Sequence, residues 1–149
     1  MTAPKLWIRW MLVVAGLMAA MGLVIAVAGG TSAMGVLNDR IDPAFWGDAS
    51  VTGPAVEYRA WVFAVLGGTM TGWAITMIAL IRHGIAQGLR WAWNAIAISL
   101  VAWFALDTGY SLAYGVWINA LGNTVLLAAL AIPLAMTRSL TTEPHPPRT

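Results

Sequence analysis

Four long apolar stretches constrain this chain more than any other feature of its sequence. They cover about 6–29, 60–81, 91–107 and 112–136. An α-helix rises ~1.5 Å per residue, so about 20 apolar residues cross the hydrocarbon core of a bilayer. The third stretch is the shortest and must run through Asp107 to span that core. The pattern predicts an all-α integral membrane protein, an antiparallel bundle of four transmembrane helices in a single domain over 1–136.

The composition favours the same class. Hydrophobic residues make up 60% of the 149-residue chain and charged residues 9%, against roughly 25% charged in an ordinary soluble domain. Cysteine is absent and histidine occurs twice, which excludes thiol chemistry, iron–sulfur clusters and sulfur-based zinc sites. The sequence therefore predicts no metal and no cofactor, and it leaves room for a bound lipid.

The distribution of basic residues predicts how the helices are oriented. Two of the eight, Arg40 and Arg59, lie in segment 30–59 together with four of the six acidic residues. The other six fall in segments that carry little acid: Lys5, Arg9, Arg82, Arg90, Arg138 and Arg148. By the positive-inside rule we expect both termini to be cytoplasmic, and the predicted location is a bacterial inner membrane. Segment 30–59 is then external, as a structured loop or short interfacial helix, and 137–149 is a polar flexible tail.

The second apolar stretch contains a G-x-x-x-G step formed by Gly68 and Gly72. Glycines at this spacing let two helix backbones approach closely, and Thr69 and Thr76 share the same stripe. The motif predicts a helix–helix contact, either inside the bundle or between copies of the protein.

The fourth stretch carries a polar stripe. Asn119 and Asn123 lie on one side of the predicted helix with Ser111 and the small residues Gly115 and Gly122. Because an unpartnered amide is costly in hydrocarbon, this side is expected to face protein. Two interpretations remain open: hydrogen bonds between helices, or the lining of a ligand pocket.

Asp107 is the single carboxylate within the predicted spans. It precedes Thr108, Gly109 and Tyr110, a sequence typical of a turn, so it is expected either to cap the fourth helix or to rim a cavity. The candidate pocket consists of Trp73, Trp103, Asp107, Tyr110, Tyr114, Asn119 and Asn123.

Three functional hypotheses follow. The first is a non-catalytic accessory or interaction subunit of a membrane assembly, whose partners are lipids and other membrane subunits or copies of itself, with no nucleic acid. The second is a bundle-lined module that binds or transports a small amphipathic or lipid-like ligand entering from the outer face. The third is an intramembrane enzyme that uses Asp107. This hypothesis is the weakest, because one carboxylate without a second acid or histidine forms no general acid–base pair.

Overall fold

The computed structural model describes residues 3–141, with side chains from Lys5 onward, and this part of the chain is helical without any strand. Four of its five α-helices are long and apolar enough to cross a membrane. The helices are α1 (Ala3–Ala28), α2 (Gly35–Trp46), α3 (Pro54–His83), α4 (Arg90–Ala113) and α5 (Trp117–Met136). Short 3-10 helices lie before α2 (Ser32–Met34), between α3 and α4 (Ile85–Gln87) and after α5 (Arg138–Leu140).

The connection between α4 and α5 lies later in the chain than the sequence indicates. The 107–111 segment, expected to be a turn, is helical, and α4 continues through Asp107 to Ala113. The chain reverses at Gly115, whose φ of +75° is a backbone conformation that glycine adopts without steric cost. The third membrane-length helix is therefore 24 residues long, and it needs no thinned bilayer to span.

Helix α3 also starts earlier than expected. It begins at Pro54, after Gly53 with φ +60°. Proline is favoured in the first turn because its missing N–H has no intrahelical partner there. Glu57 in the same turn complements the positive end of the helix dipole.

The closest helix packing joins α1 to α3. A Cβ added at Gly22 would lie 2.6 Å from Thr71 Oγ1 and 2.8 Å from the Gly67 carbonyl oxygen. The Thr71 hydroxyl is within reach of two carbonyls, Gly67 at 2.8 Å and Ala19 at 3.3 Å. The two helices run antiparallel, since residues late in α1 meet residues early in α3. Glycine is required at this contact because the backbones leave no space for a side chain.

The apolar core occupies the half of the bundle that contains the start of α1 and the end of α5. Its largest buried side chains are Met11, Met77, Ile81, Ile96, Leu100 and Leu130. Two tryptophans bond across it: Trp10 Nε1 donates to the Ala129 carbonyl at 2.9 Å, and Trp93 Nε1 donates to the Leu134 carbonyl at 2.7 Å. These bonds tie α1 and α4 to α5.

Segment 30–59 contains a helix, α2, held by an ion pair. Arg59 on α3 donates from Nη1 to Asp42 Oδ2 on α2 at 2.7 Å. Phe45 near the end of α2 lies 5.6 Å, between ring centroids, from Tyr114. The segment is thus folded against the bundle at the end where α3 begins and α4 ends.

The described charges divide between the two ends of the bundle. Because neighbouring long helices run in opposite directions, the beginnings of α1 and α4 share an end with the terminations of α3 and α5. Five basic residues lie at this end, namely Lys5, Arg9, Arg82, Arg90 and Arg138. Arg40 and Arg59 lie at the opposite end with Asp39, Asp42, Asp48 and Glu57.

Candidate functional site

The strongest concentration of polar side chains surrounds Asp107, in the half of the bundle away from the apolar core. Asp107 lies about 9 Å along the helix axis before the end of α4 and is partly buried. It is not a helix cap, since α5 begins with Val116 as its N-cap residue and has no side-chain cap bond. The expectation that Asp107 starts the fourth helix is wrong, because the helical hydrogen bonding of α4 continues past it.

Three side chains donate hydrogen bonds to the Asp107 carboxylate. Oδ1 accepts from Asn119 Nδ2 at 2.6 Å and from Asn123 Nδ2 at 2.9 Å. The Ser111 hydroxyl lies 3.3 Å from Oδ1 but donates to the closer Asp107 carbonyl oxygen, at 2.6 Å. Oδ2 accepts from Trp103 Nε1 at 3.1 Å. Hydrogen bonds to a charged acceptor are about twice as strong as neutral ones and strengthen further away from water. The carboxylate therefore acts as the hub that joins α4 to α5.

Further bonds connect the donors to each other. Asn119 Nδ2 also reaches Ser111 Oγ at 2.7 Å, and Asn123 Nδ2 reaches Thr108 Oγ1 at 3.2 Å. Asn123, Thr108 and Ser111 are buried. No buried polar atom of this cluster lacks a partner, among the side chains that the structure describes. We call Trp103, Asp107, Thr108, Ser111, Asn119 and Asn123 the Asp107 cluster.

The structure brings together part of the predicted pocket. Trp103, Asp107, Asn119 and Asn123 meet in the Asp107 cluster, and Trp73 packs on Trp103 with ring centroids 5.6 Å apart. Tyr110 and Tyr114 are instead exposed on the surface. Ser111 was predicted on the polar stripe but not in the pocket, although it lies four residues after Asp107, a spacing that makes two helical side chains neighbours. Thr108 was not predicted as a site residue, and its spacing from Asp107 gives no such signal.

The predicted packing residues occupy a different place from the α1–α3 contact. Gly67, one residue before the motif, is buried against α1, whereas Gly68 and Gly72 are exposed and a Cβ at either meets nothing within 4 Å. The same holds for Gly115 and Gly122. The hydroxyls of Thr69 and Thr76 bond to carbonyls of their own helix, at 2.9 and 3.0 Å. That these residues contact a helix of a second copy of the chain, or of another membrane protein, stays a prediction.

The arrangement around Asp107 is a set of hydrogen bonds that joins α4 to α5. The carboxylate is surrounded by amide, hydroxyl and indole donors, with no second acid or histidine in the cluster. Residues 3–141 contain no group of three or more His, Cys, Asp or Glu side chains placed to hold a metal ion. The neighbours of Asp107 are therefore those expected around a carboxylate that accepts hydrogen bonds inside a helix bundle.

Comparisons with known proteins give no relative from which a function could be transferred: the chain matches no family model, no curated protein and no solved structure.

Proposed function

We propose that this chain is an integral membrane protein with both termini in the cytoplasm, and that it acts as a non-catalytic interaction subunit of a membrane assembly. Its partner would be another membrane protein or a second copy of the chain. The inner membrane of a bacterium is the proposed location.

The membrane part of the proposal is supported by surface character and charge. Large apolar side chains are exposed along all four long helices, for example Leu17 at 65%, Ile98 at 69% and Val125 at 63%. Exposed apolar surface on this scale is unfavourable in water. Among the residues that the structure describes, one end of the bundle carries five basic residues and no acidic residue. Under the positive-inside rule this end fits the cytoplasmic side.

The observation that carries the interaction role is the difference between two sides of α3. One side uses Gly67 to pack against α1, while Gly68 and Gly72 lie on a different, exposed side where an added Cβ would meet nothing within 4 Å. The threonine hydroxyls on this surface already have acceptors within α3, so a partner helix would bury no unsatisfied hydroxyl donor there. Close backbone approach at small residues stabilises helix association in membranes.

The test is native mass spectrometry of the full-length protein extracted in a mild detergent. We expect a defined assembly, either a homo-oligomer or a complex with a second membrane protein. Gly72→Leu should dissociate it, because a leucine side chain prevents close approach of another helix. Gly109→Leu is the matched control, since Gly109 is an equally open, exposed glycine on α4.

Two results would contradict this proposal. One is a wild-type protein that is monomeric and forms no crosslinks with other proteins in the membrane. The other is an assembly that Gly72→Leu and Gly109→Leu weaken equally, since the α3 surface would then have no special part in it.

A second candidate function is the binding of an amphipathic ligand at the outer end. The favourable observation is a shallow, mainly apolar groove of about 400 Å³ between α2 and the start of α5, with Arg40 in its lining. An aliphatic tail in the groove and an anionic head on Arg40 would suit a fatty acid. None of the predicted pocket residues lines it. Binding of a fluorescent fatty acid that Arg40→Gln abolishes would favour this function over the first.

A further inference from the structure

A small polar recess opens at the basic end of the bundle, where α4 begins and α5 ends. It measures about 110 Å³ and is lined by Arg90, Trp93, Asn94, Arg138 and Thr141. Among residues 3–141, no acidic side chain belongs to this lining. We propose that the recess binds a phosphate group, either that of an anionic lipid headgroup or free phosphate.

Trp93 fixes one wall of the recess. Its indole N–H donates to the Leu134 carbonyl on α5 at 2.7 Å, and the guanidinium carbon of Arg138 lies 5.4 Å from the centroid of its ring. A guanidinium over a tryptophan face is stabilised by the negative potential of the ring. Arg138 is therefore held in place over Trp93.

The backbone that carries Arg138 is also fixed. Thr137 is fully buried and its hydroxyl donates to the Leu134 carbonyl at 2.8 Å. The turn that follows packs on the loop between α3 and α4: a Cβ at Gly88 would lie 2.8 Å from the Leu140 carbonyl oxygen. The recess is thus lined by two chain segments, the start of α4 and the turn after α5, and the loop between α3 and α4 packs on that turn.

The size and chemistry of the recess select for a phosphate group. Pockets for drug-sized ligands measure about 300 Å³ or more, so a recess of 110 Å³ suits a small group. The planar guanidinium group of Arg138 matches phosphate oxygens with paired N–H donors, and Arg90 adds a second positive charge to the lining. The Asn94 amide, one helical turn after Arg90, supplies a further donor.

Two sources of phosphate fit this chemistry and are separable by experiment. A lipid headgroup requires the basic end to lie at a membrane surface, so this source rests on the membrane location proposed above. Free phosphate requires no membrane. The assembly state and anion binding are measured independently, so either proposal survives failure of the other.

The experiment uses the full-length protein in detergent, incubated with phosphatidylglycerol, phosphatidylcholine or inorganic phosphate and observed by native mass spectrometry. We expect phosphatidylglycerol or phosphate to be retained over phosphatidylcholine. Arg138→Gln should lower that retention about tenfold, the effect of losing hydrogen bonds to a charged group. Arg82→Gln is the control: it removes the same charge from the same end but outside the recess lining.

Each outcome has a defined meaning. Phosphatidylglycerol that excess phosphate does not displace assigns the site to a lipid headgroup, whereas recess-dependent binding of phosphate alone assigns it to the free ion. The proposal is overturned if neither ligand is retained, or if Arg82→Gln lowers retention as much as Arg138→Gln. Asn94→Ala, at an exposed side chain, provides a second test in case Arg138→Gln does not fold, and circular dichroism verifies folding of each variant.

Discussion

Asn123 on α5 donates from Nδ2 to Asp107 Oδ1 on α4 at 2.9 Å, and this bond joins the second turn of one helix to the last third of the other. Asn119 makes an equivalent bond one turn earlier. The α4–α5 pair is therefore held by polar bonds near its connecting turn and by apolar packing at its other end. The Asp107 carboxylate is the acceptor on which the polar end depends.

Replacing Asp107 by asparagine should destabilise the protein by about 2 kcal/mol, since hydrogen bonds to a charged acceptor are lost and an N–H group faces other donors. Thermal unfolding in detergent measures the change. Asp48→Asn is the control, because Asp48 is exposed and outside the cluster. Equal stability of Asp107→Asn and wild type would show that the cluster does not hold the helices.

The adjacent glycines of α3 should respond in opposite ways to alanine. Gly67→Ala forces a methyl group against the α1 backbone, 2.8 Å from Ala26 Cα, and we expect a loss of about 3 kcal/mol or more from backbone displacement. Gly68→Ala meets no neighbour within the chain and should stabilise the isolated protein by up to about 1 kcal/mol. Unfolding of the two variants under identical conditions gives the comparison; similar effects would place the α1–α3 contact elsewhere.

The ion pair between Asp42 and Arg59 should matter more for α2 than for the whole protein. Both side chains are partly exposed, at 23% and 21%, so Arg59→Gln is expected to cost about 1 kcal/mol or less in global stability. Hydrogen exchange of 35–46 should accelerate in this variant, since α2 loses its bond to α3. Exchanging the two residues in Asp42→Arg/Arg59→Asp should restore protection. Unchanged exchange in Arg59→Gln would mean that other contacts hold α2.

The proposed orientation is directly measurable because the chain contains no cysteine. Single cysteines at exposed positions, Asp48→Cys and Gln87→Cys, give one thiol at each end. In intact cells a membrane-impermeant maleimide should label Asp48→Cys, and it should label Gln87→Cys only after permeabilisation. The reverse pattern would place both termini outside.

The sequence by itself determined the helices, since apolar runs of membrane length have few alternatives to helical structure. It also indicated that Asn119 and Asn123 need partners, because their shared helix face and the cost of an unpaired amide follow from spacing alone. The sequence placed the end of α4 too early, at Asp107, whereas the helix continues to Ala113. Asp107 through Tyr110 resemble a turn in composition, but helical bonding satisfies their backbone groups as well, and the reversal occurs where Gly115 adopts a positive φ.

Tertiary structure alone decided which residues meet. Gly67 and Gly68 are adjacent, so they point in directions about 100° apart around the helix axis. Only the placement of α1 determines that Gly67 is buried and Gly68 is exposed. The acceptor for the two asparagines was likewise unknown until α4 and α5 were placed side by side. Local spacing fixes the direction of a side chain within its helix, whereas the identity of its partner depends on how separate helices pack.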